Sequence, residues 1–317
     1  VTQNNTWTTD TTPSISFNLT DNMDGVINYS IFIDDNLVNA SSVANNTQVT
    51  YTFEVPVEEG SGNIVVEAMD EAGNRQNSSA LLLYIDETDP EGVITSPASE
   101  NISDNTPTLV FNLTDNLDLA INYTIFANGV AVNWSTATNG TSESVTLGQL
   151  SDGFYTIVVE SLDNASNRKN SSSIGIDIDT TAPTANLVVT QNNTWTTDTT
   201  PSISFNVTDN MDNVINYSII LDGTAVNWTS IANNTLVTYT FETPLSESMH
   251  SIVVEAMDEA NNRENSSVLT LYVDNTDPEG VITSPASENI SDNTPTLVFN
   301  LTDNVDLAIN YTIFANG

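Results

Sequence analysis

The sequence contains no cysteine, a single histidine (His250), a single lysine (Lys169) and three arginines in 317 residues. Without cysteine there is no disulfide, no thiol nucleophile and no thiolate metal site. With 42 Asp and Glu against 4 Lys and Arg, the formal net charge is -38. A polyanion of this strength excludes nucleic acid and anionic lipid as partners. No apolar run approaches the ~18–20 residues of a spanning helix, so no membrane span is expected in this window. No signal-like stretch follows Val1, which reads as targeting already removed or as a window cut from a longer chain. There is no glycine-rich phosphate loop, histidine cluster or nucleophile elbow, and no catalytic residue is assigned: the expectation is a protein that is not an enzyme. His250 has no counterpart elsewhere in the chain and is expected on the surface or in a loop. The lone lysine excludes a ladder of Lys–Asn isopeptide crosslinks.

What is present is a polar, uncharged surface vocabulary. Asp and Glu are near ordinary abundance, so the charge arises from missing cations, whose place is taken by 43 Asn, 44 Thr and 32 Ser. Halophile-style acid enrichment is therefore the weaker reading. An apolar content of 38% suffices for packed cores.

Internal repetition dominates the chain. VTQNNTWTTDTTPSISFN at Val1 to Asn18 recurs unchanged at Val189 to Asn206, and Thr88 to Gly129 recurs at Thr276 to Gly317 with one change, Leu117 to Val305. The long unit is itself double, because NLTDNMDGVINYSIF from Asn18 realigns with NLTDNLDLAINYTIF from Asn112. Arg75, Arg168 and Arg263 keep the same spacing within one residue. The expected organisation is four copies in A-B-A-B order, at 1–87, 88–181, 182–275 and a partial copy at 276–317. Neither the first nor the last copy is complete, so a longer repetitive chain is expected, with a strand donated by a neighbouring subunit as the alternative.

Within a copy the hydrophobic period is two, the mark of a half-buried strand. Ile15, Phe17 and Leu19 share one face, as do Ile27, Tyr29, Ile31 and Ile33. Asn128-Gly129 and Asp222-Gly223 suit the positive φ angles of tight hairpins. About seven short strands and no helical period in ~94 residues predict an all-β fold of tandem immunoglobulin-like sandwiches.

The endings VEAMDEAGNRQNSSALLLYIDETDPEG, VESLDNASNRKNSSSIGIDIDTTAPT and VEAMDEANNRENSSVLTLYVDNTDPEG resemble the last two strands and linker of bacterial and archaeal Ig-like surface repeats. Ser161-Leu162, and Ser166 or Asn261 in place of Gly73, depart from that pattern. The resemblance implies an extracellular, cell-surface location as a stalk, filament, surface layer or adhesin arm.

Asn-x-Ser/Thr sequons number 22 where composition alone predicts about ten, and they supply the candidate N-glycan acceptors. In the first copy these are Asn4, Asn18, Asn28, Asn39, Asn45 and Asn77. The second copy has Asn101, Asn112, Asn122, Asn133, Asn139, Asn164 and Asn170. The third has Asn192, Asn206, Asn216, Asn227, Asn233 and Asn265, and the fourth has Asn289, Asn300 and Asn310. At Asn18, Asn28, Asn112, Asn122, Asn206 and Asn216 the middle residue is a core apolar one, so alternation turns the asparagine and the hydroxyl outward together. The competing reading is that Asn and Thr are simply the polar strand residues of this sequence. Asn133 before Trp134 and Asn227 before Trp228 are expected to add glycan-to-indole contacts.

Calcium is the candidate inorganic ligand. Every copy carries Asp-Asn-x-Asp after its second strand (Asp21 and Asp24, Asp115 and Asp118, Asp209 and Asp212, Asp303 and Asp306), and complete copies add Asp70, Asp163 or Asp258 at the last turn. The linkers contribute Asp86 and Asp89, then Asp179, then Asp274 and Asp277. In an Ig-like sandwich these loops meet where the preceding linker arrives, so a set such as Asp89, Asp115, Asp118 and Asp163 could bind Ca²⁺ at a junction. The competing reading is that Asp and Asn simply favour turns.

The three arginines are expected to pair with loop carboxylates or carbonyls, and Trp7 and Trp195 to pack at a strand edge or module contact. The whole reads as a glycosylated structural repeat whose partners are neighbouring copies of the same chain, building a filament, sheath or stalk. The alternatives are an adhesin spacer with a cell-surface or carbohydrate ligand bound elsewhere, or an accessory module of a carbohydrate-active enzyme.

Overall fold

The computed structural model describes residues 3–188, 192–286 and 289–315. Among them there is no helix, and the strands form successive β-sandwiches, all-β as the alternation requires. The chain divides into two compact units, Val1–Ile178 and Asp179–Gly317.

In the first unit, the copy spanning the linker to Ile178 has all its layers. One sheet runs Glu100–Ile102, Ile174–Ile178, Gly153–Leu162, Ala120–Ala127 and Val130–Thr138, with Arg168–Asn170 pairing on the third strand. The facing sheet runs Ser142–Thr146, Thr108–Thr114 and Glu91–Ser96. The short strand Glu100–Ile102 pairs in parallel with Ile174–Ile178, while the other ladders are antiparallel. The copy before it repeats the plan with Thr6–Thr8, Leu81–Ile85, Gly60–Met69, Val26–Ile33 and Asn36–Ala44 facing Ser14–Leu19 and Thr47–Thr52.

Alternation fills the space between sheets. Leu109, Phe111 and Leu113 from one sheet meet Ile121, Tyr123, Ile125, Ile157 and Val159 from the other, all buried. Each such side chain contributes ~1.5–3 kcal/mol by leaving water. The two sheets are joined by an edge-to-face pair, Phe111 with Tyr123 at 4.9 Å between ring centroids, repeated as Phe17 with Tyr29 at 5.3 Å. The outward face of the smaller sheet is a hydroxyl ladder: Ser14 to Thr52 at 2.7 Å, Ser16 to Thr50 at 3.0 Å and Thr108 to Thr146 at 3.0 Å. Such cross-strand hydroxyl pairs support the ladder without any charge.

The second unit contains a sandwich built the same way, with Thr194–Thr196, Leu269–Val273, Ser248–Met257, Val214–Leu221 and Thr224–Ala232 in one sheet and Thr184–Leu187, Ser202–Thr208 and Leu236–Thr240 in the other. Its core includes Phe205, Ile215, Ile219 and Val254, and Phe205 meets Tyr217 at 5.0 Å. Beyond it, Glu279–Ser284 pairs with Val298–Thr302.

The strand Asn36–Ala44 (NLVNASSVA) carries little alternation because its side chains are mostly exposed, so sequence periodicity does not announce it. The preceding turn is set by Asp34 and Asp35, both at positive φ (48° and 64°), where the later copies have Asn128-Gly129 and Asp222-Gly223. The first residue of each turn also caps the neighbouring strand: Asp34, Asn128 and Asp222 accept from the main-chain N–H of Asn63, Thr156 and Ser251 at 2.9, 2.8 and 2.7 Å.

Trp7 stacks on Tyr84 with centroids 4.2 Å apart, and Trp195 on Tyr272 at 4.7 Å, each pinning the parallel strand to the sheet edge. His250 corrects an expectation. It sits inside a strand at 5% exposure, with Nδ1 2.7 Å from Asp222 Oδ2 and Nε2 2.9 Å from the Ser246 carbonyl. A side chain with hydrogen-bond partners at both ring nitrogens can be buried in a strand, which its lack of a counterpart in the other copies did not suggest.

Candidate metal centre and glycan acceptors

The linker between the two copies of the first unit runs directly after Leu81–Ile85 and delivers Asp86 to the loop end of the next sandwich. There Asp86, Asp115, Asp118 and Asp163 each present a carboxylate oxygen, and these oxygens lie within 4.8 Å of one another. Asp86 is 0%, Asp118 1% and Asp163 3% exposed.

The loops that carry these carboxylates are held from behind. Asp115 Oδ1 accepts the main-chain N–H groups of Leu117 and Asp118, both at 2.9 Å, an Asx-turn that folds the Asp-Asn-x-Asp loop onto itself. Asn139 braces that loop, its amide donating to the carbonyls of Asp115 and Asp118 at 2.6 Å each. At the other turn, Asp163 accepts from the Asn167 main chain at 2.8 Å and side chain at 2.7 Å, and Ser166 adopts φ 77° to let the turn close. Asn167 also donates to the Asp86 carbonyl at 2.9 Å, tying linker to loop. Glu59, from the preceding copy, accepts from the Glu87 and Thr88 main chain at 3.1 and 3.0 Å.

With the scaffold so satisfied, three oxygens are left over. Asp86 Oδ2, Asp115 Oδ2 and Asp118 Oδ2 are buried and have no hydrogen-bond partner. Unpaired buried carboxylates carry a large desolvation cost unless a cation meets them. The electrostatics register this: burial, followed by contact with Glu59 and repulsion from Asp115 and Asp163, pushes Asp86 up to about 7. Burial likewise raises Asp118, whereas Glu59, hydrogen-bonded first by Thr88, is pulled down to about 2. Calcium takes six to eight oxygens at ~2.3–2.6 Å, so opposite ligands sit about 5 Å apart, which the spacing of this cluster suits.

The same arrangement recurs in weaker form. Asp179, Asp212 and Asp258 gather in the second unit, where Asn262 donates to the Asp179 carbonyl at 2.8 Å, and burial raises both Asp212 and Asp258. Asp209 lies outside that trio, although its Oδ2 is also buried without a partner. Asp274, Asp303 and Asp306 form a more exposed third set, and Asp21, Asp24 and Asp70 a fourth without a linker carboxylate. There hydrogen bonding from Asn74 lowers Asp70. Asp89 and Asp277, expected as ligands, are exposed and lie outside these sets. Of the two linker carboxylates that the sequence offered, it is Asp86 that enters, because its main-chain N–H bonds to the Thr8 carbonyl (3.0 Å) and extends the parallel edge ladder to that residue.

The arginines make ion pairs with strand glutamates, not loop carboxylates. Arg168 meets Glu160 at 3.0 Å and Arg263 meets Glu255 at 2.6 Å across adjacent strands, with Arg75 and Glu67 in the same relation. Lys169 pairs with Glu91.

The sequons divide by what their amides already do. Asn45, Asn139 and Asn233 each donate to two loop carbonyls, at 2.6 to 2.8 Å. A glycosylated amide retains one N–H, so these three are braces that cannot carry glycan without giving up a bond. Asn164 donates to Asp118, and Asn18 and Asn206 to Asn46 and Asn234. Asn4 and Asn192 use only their oxygens, to cap Leu82 and Thr270 at 2.7 and 2.9 Å. Asn28, Asn122, Asn77, Asn170 and Asn265 are exposed on strands, as is Asn300, while Asn216 and Asn112 are half-buried. Asn310 and Asn289 are exposed outside strands, and Asn101 is half-buried on a short one. Asn39, Asn133 and Asn227 face the core side of their strand, and the Oδ1 of Asn39 and of Asn227 is buried without a partner. Because consecutive strand residues point oppositely, glycans on Asn133 or Asn227 would not share a face with Trp134 or Trp228, and the expected contact between those neighbours does not form.

Tandem sandwiches with acidic loop-and-linker junctions define a class of repetitive Ig-like modules. The chain belongs to the bacterial Ig-like domain family, whose profile matches residues 1–87 and 95–180, with a second bacterial Ig-like profile (group 3) matching 139–232 and 233–314. No curated protein matches the chain. Solved structures similar to it include the fibronectin(III)-like modules of Clostridium thermocellum CbhA, 15% identical over 57% of this chain and 93% of that one, with a TM-score of 0.34. Others are a 1.5-MDa bacterial ice-binding adhesin (13% identity, 83% and 91% coverage, TM-score 0.34) and extracellular domains 3–5 of Drosophila OTK (11%, 86% and 95%, 0.35).

Proposed function

We propose that this chain is a non-catalytic extracellular repeat region that acts as a stiff, glycosylated structural element of a cell-surface filament, sheath or stalk, with Ca²⁺ bound at its module junctions. The observation that carries the reading is the junction cluster at Asp86, Asp115, Asp118 and Asp163, with three buried oxygens lacking partners. A cation there joins the linker to two loops of the next module and offsets self-repulsion in a chain of net charge -38. Repetition supports a structural role, since a spacer gains from many equal modules whereas an enzyme needs one site. Membership of the bacterial Ig-like family supports the extracellular setting. The partners in this reading are neighbouring copies of the same chain.

Two measurements test it. Small-angle scattering of the chain with calcium and with chelator should give a longer, narrower distance distribution with the metal, and identical profiles would remove the junction from the proposal. Imaging of native material should reveal a regular array; isolated fibres ending in a distinct tip would instead support a spacer that carries an adhesin.

A further inference from the structure

The larger sheet of each sandwich has an outer face that the sequence alone does not reveal. In the second copy, Thr124 pairs directly with Trp134 and Asn122 with Thr136, so the sequon asparagine and the indole are diagonal neighbours on one outward face. In the third copy, Ser218 pairs with Trp228 and Asn216 with Ser230, reproducing the arrangement. Trp134 and Trp228 are each 72% exposed, an unusual state for the largest apolar side chain when it recurs at one position. Beside Trp228 lies a groove of about 200 Å³ lined by Asn216, Ser218, Trp228, Glu255, Met257 and Arg263. Its walls combine an indole face, a thioether and a charged Arg–Glu pair, which suits a sugar ring with one apolar face and hydroxyls around its rim.

We propose that Asn122 and Asn216 carry N-linked glycans whose first sugars pack on the indoles of Trp134 and Trp228, with hydroxyls directed at the Glu160–Arg168 and Glu255–Arg263 pairs. Diagonal cross-strand neighbours sit ~7–8 Å apart, a gap that one sugar on the asparagine spans. The occupant is the chain's own glycan because the acceptor asparagine, Asn216, is itself one of the groove's lining residues. The first copy is an internal control: Asn28 occupies the equivalent acceptor position, but Ala40 stands opposite Ser30 where the others have tryptophan.

This rests on the glycosylation reading above, and the test separates the two. Glycopeptide mass spectrometry of the full chain from its native source is expected to find glycan at Asn122 and Asn216. Acrylamide quenching of the tryptophans is then compared before and after enzymatic or chemical deglycosylation, and in the N122Q/N216Q double variant. Covering one indole face should reduce quenching of those two tryptophans by about half relative to the bare chain. W134A/W228A should abolish the difference, and A40W should add a further protected indole beside Asn28. Occupied Asn122 and Asn216 with unchanged quenching would overturn the packing and leave glycosylation standing. Glycan at other sequons with these two bare would do the same, and no glycan anywhere would overturn both.

Discussion

Asn167 donates its side-chain amide to the main-chain carbonyl of Asp86 at 2.9 Å while also holding the Asp163 carboxylate at 2.7 Å. One residue thus fixes both the path of the linker and the orientation of a junction carboxylate. Asn262 does the same for Asp179 and Asp258, at 2.8 and 2.7 Å. Replacing Asn167 with alanine removes both bonds and leaves a buried carboxylate less satisfied, an expected loss of ~2–3 kcal/mol. Thermal denaturation of the variant should register this as a lower midpoint, and a midpoint unchanged from wild type would show that the linker is held by other contacts.

Metal removal should reverse the stability order of wild type and a ligand variant. Burial raises the Asp118 carboxyl, so its charged form is disfavoured in the folded state. Stability from such a group is present below its unfolded pKa and is lost as pH rises through the folded value. At neutral pH in chelator, Asp118→Asn should therefore melt higher than wild type. With millimolar calcium the order should reverse, because the variant lacks a ligand. Calorimetry in both conditions checks the crossing.

Asp222 provides a pH dependence of the other sign. Burial alone would raise it, but the Ser251 main chain and His250 together pull it below the usual carboxylate range. A depressed acid stabilises the fold above its unfolded pKa, and that contribution disappears as pH falls below ~4 through the folded value. The carboxylate is half-exposed, so Asp222→Asn should cost only about 1 kcal/mol at pH 7. The cost should vanish in acid, as followed by urea melts across pH 3 to 7.

Two turns hold a residue with a Cβ where a glycine suits the backbone. Asp35 has φ 64° where Gly129 and Gly223 stand in later copies, and Ser166 has φ 77° where the first copy has Gly73. Asp35→Gly and Ser166→Gly should each stabilise the unglycosylated chain by ~0.5–1 kcal/mol, Ser166→Gly more, since aspartate tolerates this region better than serine. Denaturant midpoints measure both.

Glycan mapping should separate the sequons by amide use. Asn45, Asn139 and Asn233 are expected to be bare, and their replacement by alanine should destabilise the acidic loop. Replacing exposed Asn77 or Asn170 should be neutral within about 0.5 kcal/mol. Glycan found on Asn139 in the folded chain would contradict its role as a brace.

Much of this protein was legible from one dimension. Period-two alternation placed Ile15, Ile27, Tyr29 and Ile31 in the core, and near-identical copies established a tandem all-β array, because strand side chains alternate whatever the surrounding fold. Chemistry local to a turn was legible too: the Asp-Asn-x-Asp segments folded as Asx-turns. The strand Asn36–Ala44 was not, since an exposed edge strand needs no apolar code.

Relations across the fold were decided only in three dimensions. Asp86 and not Asp89 enters the junction because a parallel ladder to Thr8 extends the strand to that residue. Asn139 is a brace while Asn122 is exposed, though both are sequons: the Asn139 amide donates to two loop carbonyls more than 20 residues away, whereas the Asn122 amide is engaged through its oxygen, which accepts from the Thr136 hydroxyl at 2.7 Å. Trp134 faces Asn122 and not its neighbour Asn133 because pairing register sets which residues share a face. The sequence therefore determined the repeated sandwich and the pool of acidic and amide groups. Tertiary packing, by burying some of those groups and occupying the bonds of others, decided which remain free to meet a cation or a sugar.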